Sequence, residues 1–302
     1  MKILVSGSSG LVGSHLVSQL KASGHEIARL VRHAADRAVG EIYWEPSRGS
    51  IDKEALEAFA PEAVINLAGE NIASGRWTEA KKKEIRDSRV EGTKILSKAL
   101  AHLKLRPQVF INASALGYYG ERGEEWMTET SEAGLGFLPE VCQAWEDATQ
   151  EAKQAKIRTI NLRIGIVLSK EGGALKKMLT PFCLGLGGVM GNGRQFMSWI
   201  ALEDLIRILL FALEEKKLEG PVNAVSPHPV TNKVFTKTLG RVLLRPTIFP
   251  MPASVARMIF GEMADDLLLA STRARPEKLK AVDFEFKYPQ LKEALKSILG
   301  KK

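Results

Sequence analysis

The chain opens MKILVSGSSGLVGS (residues 1–14), and the order of residue types in that stretch decides how the rest is read. Lys2–Ser6 is a short apolar run that ends at glycine, the pattern of a buried parallel strand. From Gly10 to Ser23 the residues Leu11, Val12, Leu16, Val17 and Leu20 recur on one helical face. Gly24 stops that helix, and HEIARLVR (25–32) supplies a second strand. Strand, helix and strand within about 30 residues make a βαβ unit, which is right-handed in nearly all cases and belongs to a parallel sheet.

The alternation continues. A helix over about Lys53–Phe59 leads to the strand AVINLAG (63–69), and a longer helix over about Glu79–Leu103 leads to QVFINASA (108–115). A helix over about Pro139–Gln154 precedes TINLRIGIVLS (159–169). This pattern predicts an α/β fold, a Rossmann-type doubly wound parallel sheet, over residues 1–168. Residues 169–302 are expected to form a smaller, mixed lobe. Part of 201–230 should return to the core, through the helix ALEDLIRILLFALEEK (201–216) and a strand within NAVSPHPV (223–230). Pro246, Pro250, Pro252, Pro276 and Pro289 then punctuate short helices.

At 302 residues, 45% hydrophobic and 26% charged, the chain buries a substantial core as an ordinary globule. Cys142 and Cys183 are too few for a disulfide framework or a structural zinc site, which suits a reducing compartment. The early glycines interrupt any signal-peptide apolar run, and no stretch approaches the roughly 20 apolar residues of a membrane span. A cytoplasmic protein, monomeric or homodimeric and without a membrane partner, is expected. The formal charge is +8, but runs such as TEAKKKEIRDSR (78–89) interleave bases with acids as solvated helix faces do. No nucleic-acid partner is expected; a basic balance also suits a pocket for a small anionic ligand.

The loop Gly7-Ser8-Ser9-Gly10-Leu11-Val12-Gly13 has the spacing GxxGxxG between a strand and a helix. Gly7 permits the turn, Gly10 lets the backbone approach a pyrophosphate, and Gly13 lets the helix pack against the sheet, while the helix start offers free amides. Gly7, Ser9, Gly10, Leu11, Val12 and Gly13 are therefore candidate dinucleotide contacts. The second strand ends in Val31, Arg32 and His33, with Arg29 nearby, where an NAD site would carry an acid. A guanidinium there suits a ribose 2′-phosphate, so NADP(H) is the expected cofactor. An arginine merely solvated beyond the strand end is the alternative.

GxxGxxG, NLAG (66–69), SRVEGTKIL (88–96) and YYG (118–120) together resemble the extended short-chain dehydrogenase/reductases, the superfamily of the NAD-dependent epimerases and dehydratases. NLAGENI (66–72), ASALGYYG (113–120), FLPEVCQAWE (137–146), LRIGIVLSKEGGAL (162–175), GNGRQFMSWI (191–200), PVTNKVF (229–235) and GEMADDLLLASTRARP (261–276) are similar to one atypical branch. That branch is often labelled nucleoside-diphosphate-sugar epimerase or SulA-like cell-division inhibitor. The resemblance spans nearly the whole chain. It implies a catalytic Ser or Thr, a Tyr acting as acid or base, and a Lys that lowers the tyrosine pKa. Counting back from Tyr119 gives Ala115 at the hydroxyl position, with Ser114 one residue off. Taking Glu146 as the acid that follows the lysine puts Leu138 in the tyrosine's place and Cys142 in the lysine's. Tyr118, Tyr119 and Ser114 remain as candidate catalytic residues, and Cys142 reads as a small buried hydrophobe.

The resemblance further implies that Leu67, Ala68 and Gly69 lie against the adenosine side of the cofactor. It puts Arg89, steadied by Glu84, within the cofactor's reach, and Arg163 and Ile166 at the nicotinamide end. Gln195, Trp199 and Arg273 are expected to face a small polar substrate. Two functions fit: an NADP(H)-binding epimerase- or reductase-like protein acting on such a substrate, or a catalytically inactive NADPH-binding sensor or interaction protein.

Overall fold

Alternating burial builds the first strand of the sheet. In the computed structural model of the chain, which describes residues 1–301, β1 (Lys2–Ser6) directs Ile3 and Val5 into one apolar cluster and Leu4 into another. The loop after it leads into α1 (Leu11–Ala22), β2 (Glu26–Val31), β3 (Glu41–Glu45) and the short β4 (Ser50–Ile51). Asp52 caps α2 (Lys53–Phe59) by accepting the Ala55 amide at 2.9 Å, and β5 (Ala63–Asn66) follows. Thr78 caps α3 (Glu79–Ala101), which leads to β6 (Val109–Ala115), a 3-10 turn at Leu116–Tyr119, and β7 (Trp126–Met127). Then come α4 (Phe137–Asp147), α5 (Gln150–Gln154), β8 (Arg158–Ile164), β9 (Ile166–Leu168) and α6 (Gly173–Cys183). The remainder is β10 (Phe196–Met197), β11 (Trp199–Ala201), α7 (Leu202–Glu214), β12 (Gly220–Ala224), β13 (Val230–Thr231), α8 (Asn232–Leu243), α9 (Ala253–Phe260), β14 (Arg273–Ala274), α10 (Glu277–Ala281) and α11 (Leu291–Leu299).

The main sheet has eight strands in the order β12-β8-β6-β5-β1-β2-β3-β4, parallel except for the β3–β4 edge pair. The chain leaves β1 for β2 and β3 on one side and returns to β5 on the other. The two connections diverge there and open a crevice beyond the carboxyl ends of β1 and β5. One face of the sheet packs Ile3, Val5, Ile65 and Ile111 under Leu16 and Leu20 of α1 and Leu205 and Leu209 of α7. The other packs Leu4, Val64 and Phe110 under Leu96 and Leu100 of α3 and Trp44 of β3. Burial on both faces explains why these strands read as continuous apolar runs.

One row of the sheet is polar. Ser6, Asn66, Asn112 and Asn161 are register partners on β1, β5, β6 and β8, and all are buried. Ser6 Oγ donates to Asn66 Oδ1; Asn66 Nδ2 donates to Asn112 Oδ1 at 2.7 Å and to Thr93 Oγ1 at 2.9 Å; Asn112 Nδ2 reaches Asn161 Oδ1 at 3.3 Å.

Beyond β8 the backbone turns at Gly165, where any Cβ would meet the Ser198 carbonyl at 2.7 Å. The single strand expected over 159–169 is therefore two, and β9 pairs with β11 instead of continuing in the main sheet. From Leu168 onward a further apolar cluster gathers Leu175, Phe182, Met197, Trp199, Phe235, Leu239 and Leu295 from α6, β10, β11, α8 and α11. The helix expected over 139–154 breaks into α4 and α5 at Ala148–Thr149. The returning strand is Gly220–Ala224, slightly ahead of the expected NAVSPHPV. No helix among the described residues is long and apolar enough to cross a membrane.

Replacing Asn66 by leucine removes the centre of the polar row: the Ser6 hydroxyl loses its acceptor, while Thr93 and Asn112 each lose one bond but keep one another, Trp145 and the Ala113 carbonyl. A buried group left without a partner costs about 1–3 kcal/mol. Urea unfolding of Asn66→Leu is expected to show a lower midpoint at an unchanged slope. A midpoint equal to that of the native chain would contradict a structural role for the row.

Candidate functional site

The crevice is lined first by the glycine loop. Gly7 has φ +66°, and a Cβ there would stand 2.6 Å from the Leu67 carbonyl, so only glycine lets this turn press against the end of β5. Ser6 Oγ receives the Leu67 and Ala68 amides at 3.1 and 3.2 Å, which bends Leu67–Gly69 across the same opening. Helix α1 starts at Gly10 with no side-chain cap. Its first-turn amides are thus left to a ligand or to water, in a position that favours an anion. A Cβ at Gly13 would overlap the Gly7 carbonyl, so the helix can lie this close only without one.

The basic residues around this opening are not equivalent. Arg29 is committed to Glu41 at 3.0 Å, whereas Arg32, just past β2, is exposed and without an ion pair among the described residues. Arg89 of α3 lies under the opposite wall. Its guanidinium donates to the Ile85 carbonyl at 3.0 Å and the Glu70 carbonyl at 2.9 Å, covers the Trp145 ring at 5.1 Å, and would stand 3.2 Å from a Cβ on Gly69. Burial lowers its pKa from the ordinary arginine value. Glu84, expected to steady Arg89, is exposed and pairs with Lys81 at 3.3 Å; backbone carbonyls hold Arg89 instead.

At the far end of the crevice a buried ion pair organises the tyrosines. Arg163, only 2% exposed, faces Glu146 with two parallel bonds, Nε to Oε1 at 2.8 Å and Nη2 to Oε2 at 2.9 Å. Burial works against its charge, but Glu146 outweighs that and holds the Arg163 pKa above the usual arginine value. Ser114 Oγ donates to the same Glu146 oxygen at 2.7 Å. The guanidinium carbon lies 3.4 Å from the Tyr118 ring centre. Arg163 Nη1 donates to the Tyr119 hydroxyl at 3.0 Å, and that hydroxyl also sits 2.8 Å from Asn223 Oδ1 and 2.9 Å from the Thr128 carbonyl. Burial pushes the Tyr119 phenol up to about 12.

These contacts separate the expected catalytic residues. Tyr119 is fully buried with a saturated hydroxyl, and Ser114 is buried against Glu146. Tyr118 is half-buried, its ring held by Arg163 and by an edge contact with Tyr119, and its hydroxyl is bonded to no described residue. Leu138 and Cys142 pack beneath the Leu116–Tyr119 turn, 3.2 and 3.6 Å from where a Gly117 Cβ would be. Burial, reinforced by Glu146, pushes the Cys142 thiol up to about 12, so it stays neutral.

The residues expected to face substrate also divide. Trp199 does not reach a cleft: it is fully buried and donates to the His228 carbonyl at 3.1 Å, because its strand packs into the apolar cluster of Leu168, Phe235 and Leu295. Gln195 is mostly buried, donating to the Met190 and Leu268 carbonyls, and borders a hollow of about 280 Å³ that Arg194, Asn192 and Glu121 also line. Arg273 is sandwiched between Trp126 at 3.9 Å and Phe196 at 4.4 Å, with Nε buried and unpartnered. Ile166 is half-buried on β9, one turn of chain from Arg163.

A family model described as the NAD dependent epimerase/dehydratase family matches residues 3–225. The chain belongs to this family. A second model, a domain of unknown function (DUF1731), matches residues 251–298. An epimerase family protein of Mycobacterium tuberculosis is 44% identical, covering 97% of this chain and 96% of its own. The human epimerase family protein SDR39U1 is 34% identical over 99% of this chain and 100% of its own. A crystal structure of human SDR39U1 with NADPH superposes with a TM-score of 0.90 at 33% identity, covering 100% of both chains. A UDP-glucose 4-epimerase of Thermus thermophilus, at 20% identity and a TM-score of 0.75, shares the fold.

Several residues around the crevice carry no motif in the sequence. Ser6 was read only as part of a strand, and Glu146 only as a marker of register. Asn66, Asn112 and Asn161 each follow an isoleucine within their strand, in Val64-Ile65-Asn66, Phe110-Ile111-Asn112 and Thr159-Ile160-Asn161. That recurrence was the available signal.

The two cysteines provide a direct check. Iodoacetamide at neutral pH is expected to label exposed Cys183 in the native protein and Cys142 only after unfolding, since the thiolate is the reactive form. Equal labelling of both in the native state would overturn the buried, neutral assignment of Cys142. Arg163→Met is expected to lose about 3–5 kcal/mol of unfolding free energy by leaving the Glu146 carboxylate buried and unpaired. The check is chemical denaturation beside Arg163→Met/Glu146→Leu, which should recover much of the loss.

Proposed function

We propose that the chain binds NADP(H) across this crevice and works on a small polar substrate as a reductase or epimerase-like enzyme, with Tyr118 as its proton-transfer group. The observation that carries the cofactor assignment is the pair formed by the glycine loop, pressed against Leu67–Gly69, and the unpaired Arg32 at the end of β2. The presence of NADPH in the human SDR39U1 crystal structure supports it. Ser9, Gly10, Leu11, Val12 and Gly13 would hold the pyrophosphate through backbone amides. Val31 and Arg32 would flank the ribose 2′-phosphate, and Leu67–Gly69 would lie along the adenosine side. When bound, the cofactor supplies hydride transfer.

The chain's own contribution is orientation and one proton. Among Tyr118, Tyr119 and Ser114, only Tyr118 carries an oxygen with no protein partner among the described residues. Its ring is fixed by the Arg163 guanidinium, itself locked by Glu146, so Arg163 is a positioning residue. Ile166, Gln195 and Arg273 would bound the substrate side of the same opening. Arg89 would supply a fixed positive charge beside Cys142, near the position where the short-chain reductase pattern places its lysine. Glu84 and Trp199 take no part.

A second reading is an NADPH-binding sensor that has no turnover. The burial of Leu138, Cys142 and Ser114, at or beside all three positions of the reductase pattern, favours it.

Fluorescence titration separates binding from use. NADPH is expected to bind more tightly than NADH, and Arg32→Ala to weaken NADPH by about tenfold or more while sparing NADH, as loss of a charge-assisted contact does. Equal affinities for the two cofactors would remove the assignment. With NADPH bound, a panel of carbonyls and sugar nucleotides is followed by reduced-nicotinamide absorbance. Turnover abolished in Tyr118→Phe supports the enzyme; tight NADPH binding without turnover on any of them supports the sensor.

A further inference from the structure

Charge is segregated in this chain in a way that its average conceals. Residues 172–202 and 220–261 contain no Asp or Glu, yet they carry Lys176, Lys177, Arg194, Lys233, Lys237, Arg241, Arg245 and Arg257. These eight account for the whole formal charge of +8; without them the 43 Lys and Arg fall to 35, matching the 35 acids. Exposed apolar side chains collect in the same segments. Of the twelve large hydrophobic residues exposed among the described residues, eight lie there.

The fold brings five of these eight to one place. The loop after α6 carries Leu184, 69% exposed, and Leu186; the loop after α8 carries Leu244, 85% exposed, Ile248, 68% exposed, and Phe249. The two loops touch: Arg245 Nε donates to the Cys183 carbonyl at 2.9 Å, and Gly188 packs on the Phe249 backbone. Between α8 and the loop that follows it lies an open hollow of about 700 Å³, lined by Lys237, Arg241, Leu244, Arg245 and Ile248 among others. Lys237 Nζ donates to Thr247, which holds the second loop against α8.

We propose that this end of the second lobe docks on the surface of an anionic lipid bilayer. Leu184, Leu186, Leu244, Ile248 and Phe249 would enter the headgroup boundary, and Lys237, Arg241 and Arg245 would face lipid phosphates and carboxylates. The charge pattern selects this occupant. A second copy meeting the same face about a twofold axis would bring both copies' Lys237, Arg241 and Arg245 into one interface, with no carboxylate in either segment to pair them. Nucleic acid accounts for the bases but not for four exposed aliphatic side chains and only one aromatic. Apolar tips rimmed by lysine and arginine, without acids, match peripheral attachment to anionic lipid. The sequence alone points the other way because its most conspicuous basic run, on α3, is interleaved with acids.

The full chain is sedimented with vesicles of phosphatidylcholine alone and of phosphatidylcholine and phosphatidylserine in equal parts. Binding is expected only to the anionic vesicles and is expected to fall as salt is raised. Each cation near the surface contributes about fivefold, so Arg241→Glu/Arg245→Glu should weaken binding at least about twentyfold. Leu244→Ser/Ile248→Ser should weaken it about tenfold or more. Unchanged NADPH affinity in both variants shows that they remain folded; should NADPH prove not to bind, their thermal melting serves. Absence of the native chain from anionic vesicles overturns the proposal, as does equal binding by the variants. A native dimer that Leu244→Ser/Ile248→Ser converts to monomer also overturns it, by assigning the face to a second copy.

Discussion

The shape of the crevice depends on one hydroxyl. Ser6 is the last residue of β1, and its Oγ serves two purposes: it donates into the buried asparagine row and accepts the first two amides beyond β5. The turn at Gly7 and the bend at Leu67–Gly69 are thereby held to each other at the point where the sheet changes direction. Two backbones brought this close exclude a side chain between them, which is why Gly7 has no substitute there. The asparagines extend the constraint sideways across β5, β6 and β8, so four strands share one register. Buried amides bonded across the strands also penalise slippage, because a one-residue shift would break the bonds between them.

A different economy governs the far end of the crevice. Where the short-chain reductase pattern has a tyrosine and a lysine on one helix, α4 presents Leu138 and Cys142 to the turn beneath Tyr118. The charges have moved inward: Glu146 from α4 meets Arg163 from β8, and Ser114 and Tyr119 are absorbed as satellites. A buried carboxylate and guanidinium attract strongly but both lose hydration, so such a pair fixes geometry more than it adds stability. What it fixes here is Tyr118, stacked on the guanidinium face with its oxygen left over. Rigidity of the ring and freedom of the hydroxyl arise from the same contact.

How much of this could be read from the sequence varied with the physics of each element. Strand β1, helix α1 and strand β2 were legible because burial imposes a period and glycine marks the turn. Strand β3 was not placed: Glu41–Glu45 is flanked by charged and glycine-rich chain, and its Ile42 and Trp44 are too few to define a pattern. The division of β8 from β9 depends on Gly165 meeting the Ser198 carbonyl, thirty-odd residues away, which no local window contains. Trp199 looked like a cleft residue because it follows a glycine-rich loop; its neighbours in space, Leu168, Phe235 and Leu295, come from three other elements. Arg163 stood at the carboxyl end of a strand, where ligands bind, but its charge is turned inward by an acid that sequence spacing had marked only as a landmark.

The same distinction between local and spatial pattern applies to charge. Interleaved residues such as Lys81 and Glu84 on α3 neutralise one another within a turn or so, and Lys82 is paired with Glu262. Their field is short-ranged, because opposite signs a few ångströms apart cancel at any distance beyond a Debye length of about 8 Å. Of the eight cations in the acid-free segments only Arg257 has an ion pair among the described residues, with Asp265 at 2.9 Å, so the charges of Lys237, Arg241 and Arg245 are not cancelled by an adjacent acid. A chain with a modest net charge can therefore present one strongly cationic end, and that end is also where aliphatic side chains remain exposed. Solvation alone favours covering those side chains, and charge restricts what may cover them to something anionic; neither property by itself would single out a surface.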